Sequence, residues 1–383
     1  MNSRARVLLA LNHKEPDRVP FDLGGTVVSG IHVRAYRALR AYLGLPQVEP
    51  KLVDIFQLIV QVDDDVLDRL GVDVKNVAPR SSGTYRIEIK DMGDYTYFYD
   101  EFKIGWRMPK VGGLYYDMFD HPLAGPITEA DVDRFPWPDP LDPSRFTGLW
   151  EKARSVAEKE QRAVVVGSMS AGVLEIAAWT RGFADYFADL AGNERLIGYI
   201  MDKVLEQKLA YWGKIFDLLG DYVDVAQEAD DFAGQDRMLI SPDTYRRLIK
   251  PRHKVLFDFI HSRSKAKVLF HSCGSVRPII PDLIEIGVDA LNPVQVSARG
   301  MDSAELKREY GKDLAFWGGG VDTQRILCSG SPQEVREEVK RRVQDLMPGG
   351  GFVFNTVHNI QANVPPENIM AMWEALQEYG VYH

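Results

Sequence analysis

The chain has 383 residues, 45% of them hydrophobic, and a formal net charge of −9 at neutral pH. That length fits two average domains or one large α/β barrel, with enough apolar residues for a sizeable core. The charge argues against a nucleic-acid backbone as partner, no apolar run reaches the roughly 18 residues of a membrane span, and the 2 cysteines, Cys273 and Cys328, make no disulfide framework.

The N-terminus runs straight into an amphipathic pattern over 3–13, with Val7, Leu8 and Leu11 on one side and no signal-peptide core. A cytoplasmic protein is therefore expected. Glu15-Pro16-Asp17-Arg18 reads as a turn, and Val19-Pro20-Phe21-Asp22 as a short strand before the Gly24-Gly25 loop. Helical patterns are expected around 31–43 and 51–70, and a strand at 72–77. Residues 84–120 differ in kind. The stretches 85–90, 94–99 and 102–106 alternate with the period of two typical of antiparallel strands, which predicts a β insertion after the second barrel strand. Tyr95, Tyr97 and Tyr99 share one face of it, either as hairpin packing or as a rim for a flat aromatic substrate.

From 163 onward strands and helices alternate. Strands are expected at 163–167, 222–226, 268–270, 288–292, 314–317 and 352–355, with helices at about 171–191, 193–219, 276–286 and 332–346. Ser241-Pro242 predicts a helix start, a hydroxyl cap before a proline at the first helical position. Core strands near 19, 73, 164, 223, 268, 289, 315 and 353 predict a single (β/α)8 TIM barrel across 1–383. Active sites in that fold lie at the strand C-termini. Here those ends carry Asp22, Glu228, Asp230, Asp231, His271, Cys273, Asn292, Gln295, Gly318-Gly319-Gly320 and His358.

One end stands out. In Lys267-Val-Leu-Phe-His271-Ser-Cys273-Gly274, the histidine and cysteine are two apart, so on a strand they point to the same side. A nitrogen and a sulfur donor aimed at one point suit zinc. Glu228, Asp230 and Asp231 crowd the preceding strand end, where like charges raise at least one pKa. They are candidate proton donors, with Asp22, Asn292 and Gln295 as candidate substrate contacts. The triple glycine can let a ligand approach the backbone closely.

Three stretches carry a resemblance to the uroporphyrinogen decarboxylase superfamily. They are Asn12-His13-…-Glu15-Pro16-Asp17-Arg18-Val19-Pro20, then Asp230-Asp231-…-Gln235 with Ser241-Pro242, and the tail Gly349-Gly-Gly-Phe-…-His358-Asn359-Ile360-Gln361-…-Pro365-Pro366-Glu367-Asn368. The chain looks less like the decarboxylases than like the corrinoid-dependent methyltransferases. Decarboxylases carry an arginine-rich segment after the first strand, where this chain reads Phe21-Asp22-Leu-Gly-Gly-Thr26. The resemblance implies zinc held by His271 and Cys273. Aligned on Pro365-Pro366-Glu367-Asn368, the third ligand of that branch, a cysteine, falls on His358.

The exchange has a chemical consequence. One thiolate and two imidazoles leave zinc more electropositive than two thiolates do, and so a stronger Lewis acid. The expected activity is therefore O-demethylation, moving a methyl group from a small-molecule methyl ether, such as a methoxylated aromatic, to cobalamin carried by a corrinoid partner protein. Methylation of a thiol from a methylated corrinoid, decarboxylation of a porphyrinogen-like substrate and a non-catalytic scaffold are the competing readings. A homodimer is left open.

Overall fold

The computed structural model describes the whole chain, Met1–His383. Its strands are β1 (Leu52–Asp54), β2 (Ile59–Val60), β3 (Val74–Asn76), β4 (Lys90–Met92), β5 (Tyr95–Tyr99), β6 (Gly105–Pro109), β7 (Asp117–Asp120), β8 (Ala163–Gly167), β9 (Val225–Ala229), β10 (Lys267–His271), β11 (Ala290–Asn292), β12 (Ala315–Trp317) and β13 (Phe352–Val353).

Valine-rich runs such as Ala163–Gly167 are buried on both faces, as parallel strands covered by helices must be. They assemble in the order β13-β12-β11-β10-β9-β8-β3, every neighbour parallel. Residues 19–22 complete the ring. The Asp22 amide donates to Phe354 O (2.9 Å), the Phe354 amide to Pro20 O (2.8 Å) and the Asp73 amide to Phe21 O (2.8 Å). This first stave never becomes a regular strand, because Pro20 has no amide hydrogen and the Asp73 carboxylate takes the Phe21 amide at 2.8 Å. The barrel expectation holds.

Helix Ser3–Leu11 closes the N-terminal end of the barrel. Arg6 pairs with Asp17 and Asp73 (both 2.6 Å), and Arg18 also reaches Asp73 (2.7 Å). Arg4 pairs with Asp224 at 3.0 Å. The polar residues of the opening stretch therefore fasten this end, remote from the strand C-termini.

The β insertion lies in the expected region, but its first strand is Lys90–Met92 instead of 85–90 and Asp117–Asp120 adds a fourth; the order is β4-β5-β6-β7 with all pairs antiparallel. Its inner face is docked by Trp106 against Phe56 (centroids 4.5 Å apart) and Trp179 (5.6 Å). The tyrosine stripe lies on the other face. Tyr97 packs on Tyr99 (6.1 Å) and Phe119 (5.9 Å), and Arg107 lies over Tyr95 at 4.9 Å, so the stripe is cross-strand packing.

Three expectations are corrected. Residues 51–70 are not one helix: the Asp54 carboxylate accepts the Gln57 amide in a turn, β1 and β2 pair, and only Asp64–Leu70 is helical. The helix expected at 171–191 breaks at Gly182 (φ +77°) into Val173–Arg181 and Phe183–Gly192. The strand expected at 222–226 starts later, because the chain leaves helix Glu194–Leu219 through Gly220 (φ +53°) and a turn over Gly220–Tyr222. That delay puts Glu228 inside β9 rather than beyond its end. No helix is long and apolar enough to cross a membrane.

Candidate metal centre

His271 ends β10, and its register partner on β11 is Asn292. The Asn292 amide faces both neighbours: its Oδ1 takes the hydrogen bond from His271 Nδ1, and its Nδ2 donates to Trp317 O at 2.8 Å. A carbonyl acceptor at Nδ1 puts the proton there and leaves Nε2 with a free lone pair. Cys273, beyond the strand end, brings its Sγ to 3.4 Å from that Nε2. His358, in the loop after β13, completes the group. One donor atom from each of the three lies within 4.8 Å of the others, and the two imidazoles are 5.5 Å apart at 67°.

The cysteine loop is held at two points. Asp231 Oδ1 accepts the Cys273 amide at 2.7 Å, and Gln295 Oε1 accepts the Gly274 amide at 2.6 Å. Gly274 sits at φ +87°, where a Cβ would lie 2.5 Å from Ala233 O, so only glycine fits.

Electrostatics favour neutral donors awaiting a cation. Burial, with His271 beside it, pushes His358 down to about 3, so its ring is neutral at physiological pH. Burial, then the charges of Asp231 and Glu175, push the Cys273 thiol well above its usual range. A bound cation reverses that balance and yields the thiolate. No protein group hydrogen-bonds the His358 ring, and the Cys273 sulfur touches only His271 Nε2. Two imidazoles and one sulfur, converging and otherwise unpartnered, fit a zinc ion with one open position.

The acidic residues separate by the strand's period of two. Glu228 points outward to helix Glu194–Leu219, where it accepts from Lys208 Nζ and Trp212 Nε1, both at 2.7 Å. Asp230 also points outward. Its two oxygens cap helix Val173–Arg181 by accepting the amides of Leu174 and Glu175 (both 2.9 Å), and Oδ2 faces His253 Nε2 at 3.1 Å. Asp231 alone turns to the metal side, with Oδ1 4.0 Å from His271 Nε2. The expected proton-donor roles of Glu228 and Asp230 are therefore replaced by structural ones: both carboxylates are committed to the helices outside the ring.

The expected substrate contacts also stand differently. Asp22 is fully buried, accepting from Trp317 Nε1 (2.7 Å) and the Gly25 amide (2.8 Å). Burial raises it to about 6 against those hydrogen bonds. Asn292 and Gln295 use their side chains to hold His271 and the Gly274 amide. The triple glycine admits protein, not ligand: a Cβ on Gly318 would meet Asn292 Nδ2 at 3.1 Å, and one on Gly320 would meet Phe354 at 2.3 Å.

Sequence reading missed Glu175. It sits in the first turn of helix Val173–Arg181, its carboxylate accepting the Gly172 amide at 3.1 Å. Burial, then Asp231 and Asp230, raise it well above the usual carboxylate range. The only signal in the sequence was the Gly172-x-x-Glu175 capping pattern, which marks a helix start and says nothing of the metal.

Residues 121–379 match the model of the family described as "Uroporphyrinogen decarboxylase (URO-D)". Uroporphyrinogen decarboxylases of Pseudoalteromonas translucida and Serratia proteamaculans are 25% and 26% identical over 281 and 287 residues, in each case 71% of this chain and 75% of the relative. Among solved structures, a methyltransferase from Methanosarcina mazei superposes with a TM-score of 0.66 at 19% identity, covering 99% of both chains. That likeness is one of fold.

Proposed function

This chain belongs to the uroporphyrinogen decarboxylase (URO-D) family, and within it we propose a zinc-dependent methyltransferase that takes a methyl group from a methyl ether, such as a methoxylated aromatic, and passes it to cobalamin on a corrinoid partner protein. The observation that carries this reading is the convergence of His271, Cys273 and His358, each with a donor atom unused by the protein, at the C-terminal mouth of the barrel. Zinc in that set supplies Lewis acidity to an oxygen placed at its open position. The shortage of thiolates favours an oxygen leaving group over activation of a thiol. The name of the Methanosarcina mazei protein points the same way. The decarboxylase reading has less support, because the stretch after the first stave, Phe21-Asp22-Leu-Gly-Gly-Thr26, offers no arginine for substrate carboxylates.

The chain's own residues have defined tasks in this reading. Asn292 fixes the His271 ring so that Nε2 faces the site. Asp231 and Gln295 hold the Cys273 loop. The departing oxygen needs a proton as the methyl leaves, and Glu175, whose carboxyl burial and then the charges of Asp231 and Asp230 raise well above the usual carboxylate range, is the group to give it. Trp179, one turn beyond Glu175 on the same helix face, packs against Trp106 of the β insertion.

The test offers the zinc-loaded protein two pairs of substrates: reduced cobalamin with a methoxybenzoate, and methylcobalamin with a thiol. The proposal expects methylcobalamin to form from the first pair, and to fail to form with Cys273→Ala. Turnover of the second pair alone assigns thiol methylation instead. Full activity in a metal-free Cys273→Ala protein sinks the proposal.

A further inference from the structure

The loops that follow β9, β10 and β11 also enclose a cleft of about 790 Å³ on the outer rim of the same barrel face, and none of the three zinc-binding candidates lines it. Its charge runs against the rest of the molecule. In a chain of net charge −9, three guanidiniums, Arg237, Arg277 and Arg299, face one carboxylate, Asp236. Arg277 is neutralised from outside by Glu305 (2.6 Å) and Glu309 (2.7 Å). The side chains of Arg237 and Arg299 have no ion-pair or hydrogen-bond partner. In a second cleft, beside Tyr199, the arginines are paired with carboxylates, Arg195 with Glu129 and Arg252 with Asp202, both at 2.7 Å.

The same cleft is also lined by apolar side chains. Leu239 is 54% exposed there, and Tyr310 flanks it. The cleft is also preformed. The Ser275 amide donates to Gly234 O (2.9 Å), the Arg299 amide to Gln235 O (2.8 Å) and Ser275 Oγ to Arg299 O (2.7 Å), which stitches the three loops together. A concave wall that carries apolar side chains beside two exposed guanidiniums free of any protein carboxylate is an arrangement that recognises planar anions.

We propose that this rim cleft is a binding subsite for a small organic anion, with a carboxylate or phosphate held by Arg237 and Arg299 and an apolar body on the Leu239 and Tyr310 side. The subsite does not depend on the metal or on methyl transfer, and it stands or falls separately from the functional reading.

Calorimetric titration of the full chain with benzoate and with inorganic phosphate tests it. The wild-type protein should bind both saturably, benzoate more tightly because phosphate has no apolar body. Arg237→Ser with Arg299→Ser should weaken both by at least about tenfold, the effect of losing one charge-assisted contact. Arg237→Lys with Arg299→Lys should keep phosphate, which needs only charge, and lose most of the gain for benzoate, which needs the fork. The melting temperature should be the same within about 2 °C in all three proteins, as exposed substitutions leave stability nearly unchanged, reporting an undisturbed fold. Absence of saturable binding by the wild type, or equal binding by the serine variant, overturns the subsite. Phosphate binding without benzoate binding overturns the assignment of an apolar body.

Discussion

At the scale of single residues, the side chains that matter are those whose polar atoms the protein leaves unused, and those that aim them. Asn292 is an aiming residue: it fixes the tautomer of His271 through Oδ1 and is itself fixed by Trp317 O. Asn292→Ala should weaken zinc binding by about 10–100-fold, the usual consequence of removing such a partner, as read by competition with a chromogenic chelator, while the fold stays intact. Cys273 gives a pH signature. Its thiol is held protonated in the metal-free protein, mainly by burial. Zinc must therefore displace about one proton at neutral pH, and affinity should rise about tenfold per pH unit there. Calorimetry in buffers of different ionisation enthalpy reads this directly, and proton-free binding would exclude the thiol as ligand. Asp22 tests burial itself. Its pKa rises from 3.8 to about 6 in the folded chain. The folded state holds that proton more tightly than the unfolded one, so its stabilising effect is present below about pH 4 and lost as pH rises through 6, a change of about 3 kcal/mol. The stability difference between wild type and Asp22→Asn should fall by that order between pH 4 and 7; a pH-independent difference contradicts it.

At the scale of elements, where a strand begins and ends explains both what was legible and what was not. A short apolar run marked β10 plainly, and His271 ends it; Cys273 lies two residues beyond the strand, so the loop rather than the strand's period of two brings its sulfur to 3.4 Å from His271 Nε2. That period divides Glu228 and Asp230 from Asp231, but only once β9 is known to begin at Val225; a strand starting at 222 leaves all three past its end. That delay comes from the turn Gly220–Tyr222 after the long helix, which the apolar run from Tyr222 onward concealed in the sequence. Glu175 was hidden for a different reason: its helix is brought to the mouth by Asp230, a contact 55 residues away in sequence. The account predicts a structural phenotype for Asp230. Its side chain is fully buried, and Asp230→Ala removes the acceptor of two helix amides together with the partner of His253. The cost should be about 3–5 kcal/mol, as for breaking other buried charged contacts, with stoichiometric zinc still bound by the folded fraction. Loss of zinc at unchanged melting temperature would instead make Asp230 a ligand.

At the scale of the whole molecule, the barrel was legible because alternating strands and helices repeat along most of the chain, whereas the closing stave at 19–22 is defined by three interstrand hydrogen bonds rather than by its own regularity. Such a ring brings together residues far apart in sequence: His271 and His358 reach one point from staves on different sides of β11 and β12. The methyl-transfer function proposed for this chain depends on that meeting point holding one metal ion through two nitrogens and one sulfur. Zinc analysis of the purified protein together with its X-ray absorption spectrum measures this most directly. The account predicts one zinc per chain, one sulfur at about 2.3 Å and two imidazole nitrogens at about 2.0–2.1 Å, with the sulfur shell lost in Cys273→Ala. A protein without stoichiometric zinc, or a zinc shell containing no sulfur, contradicts it.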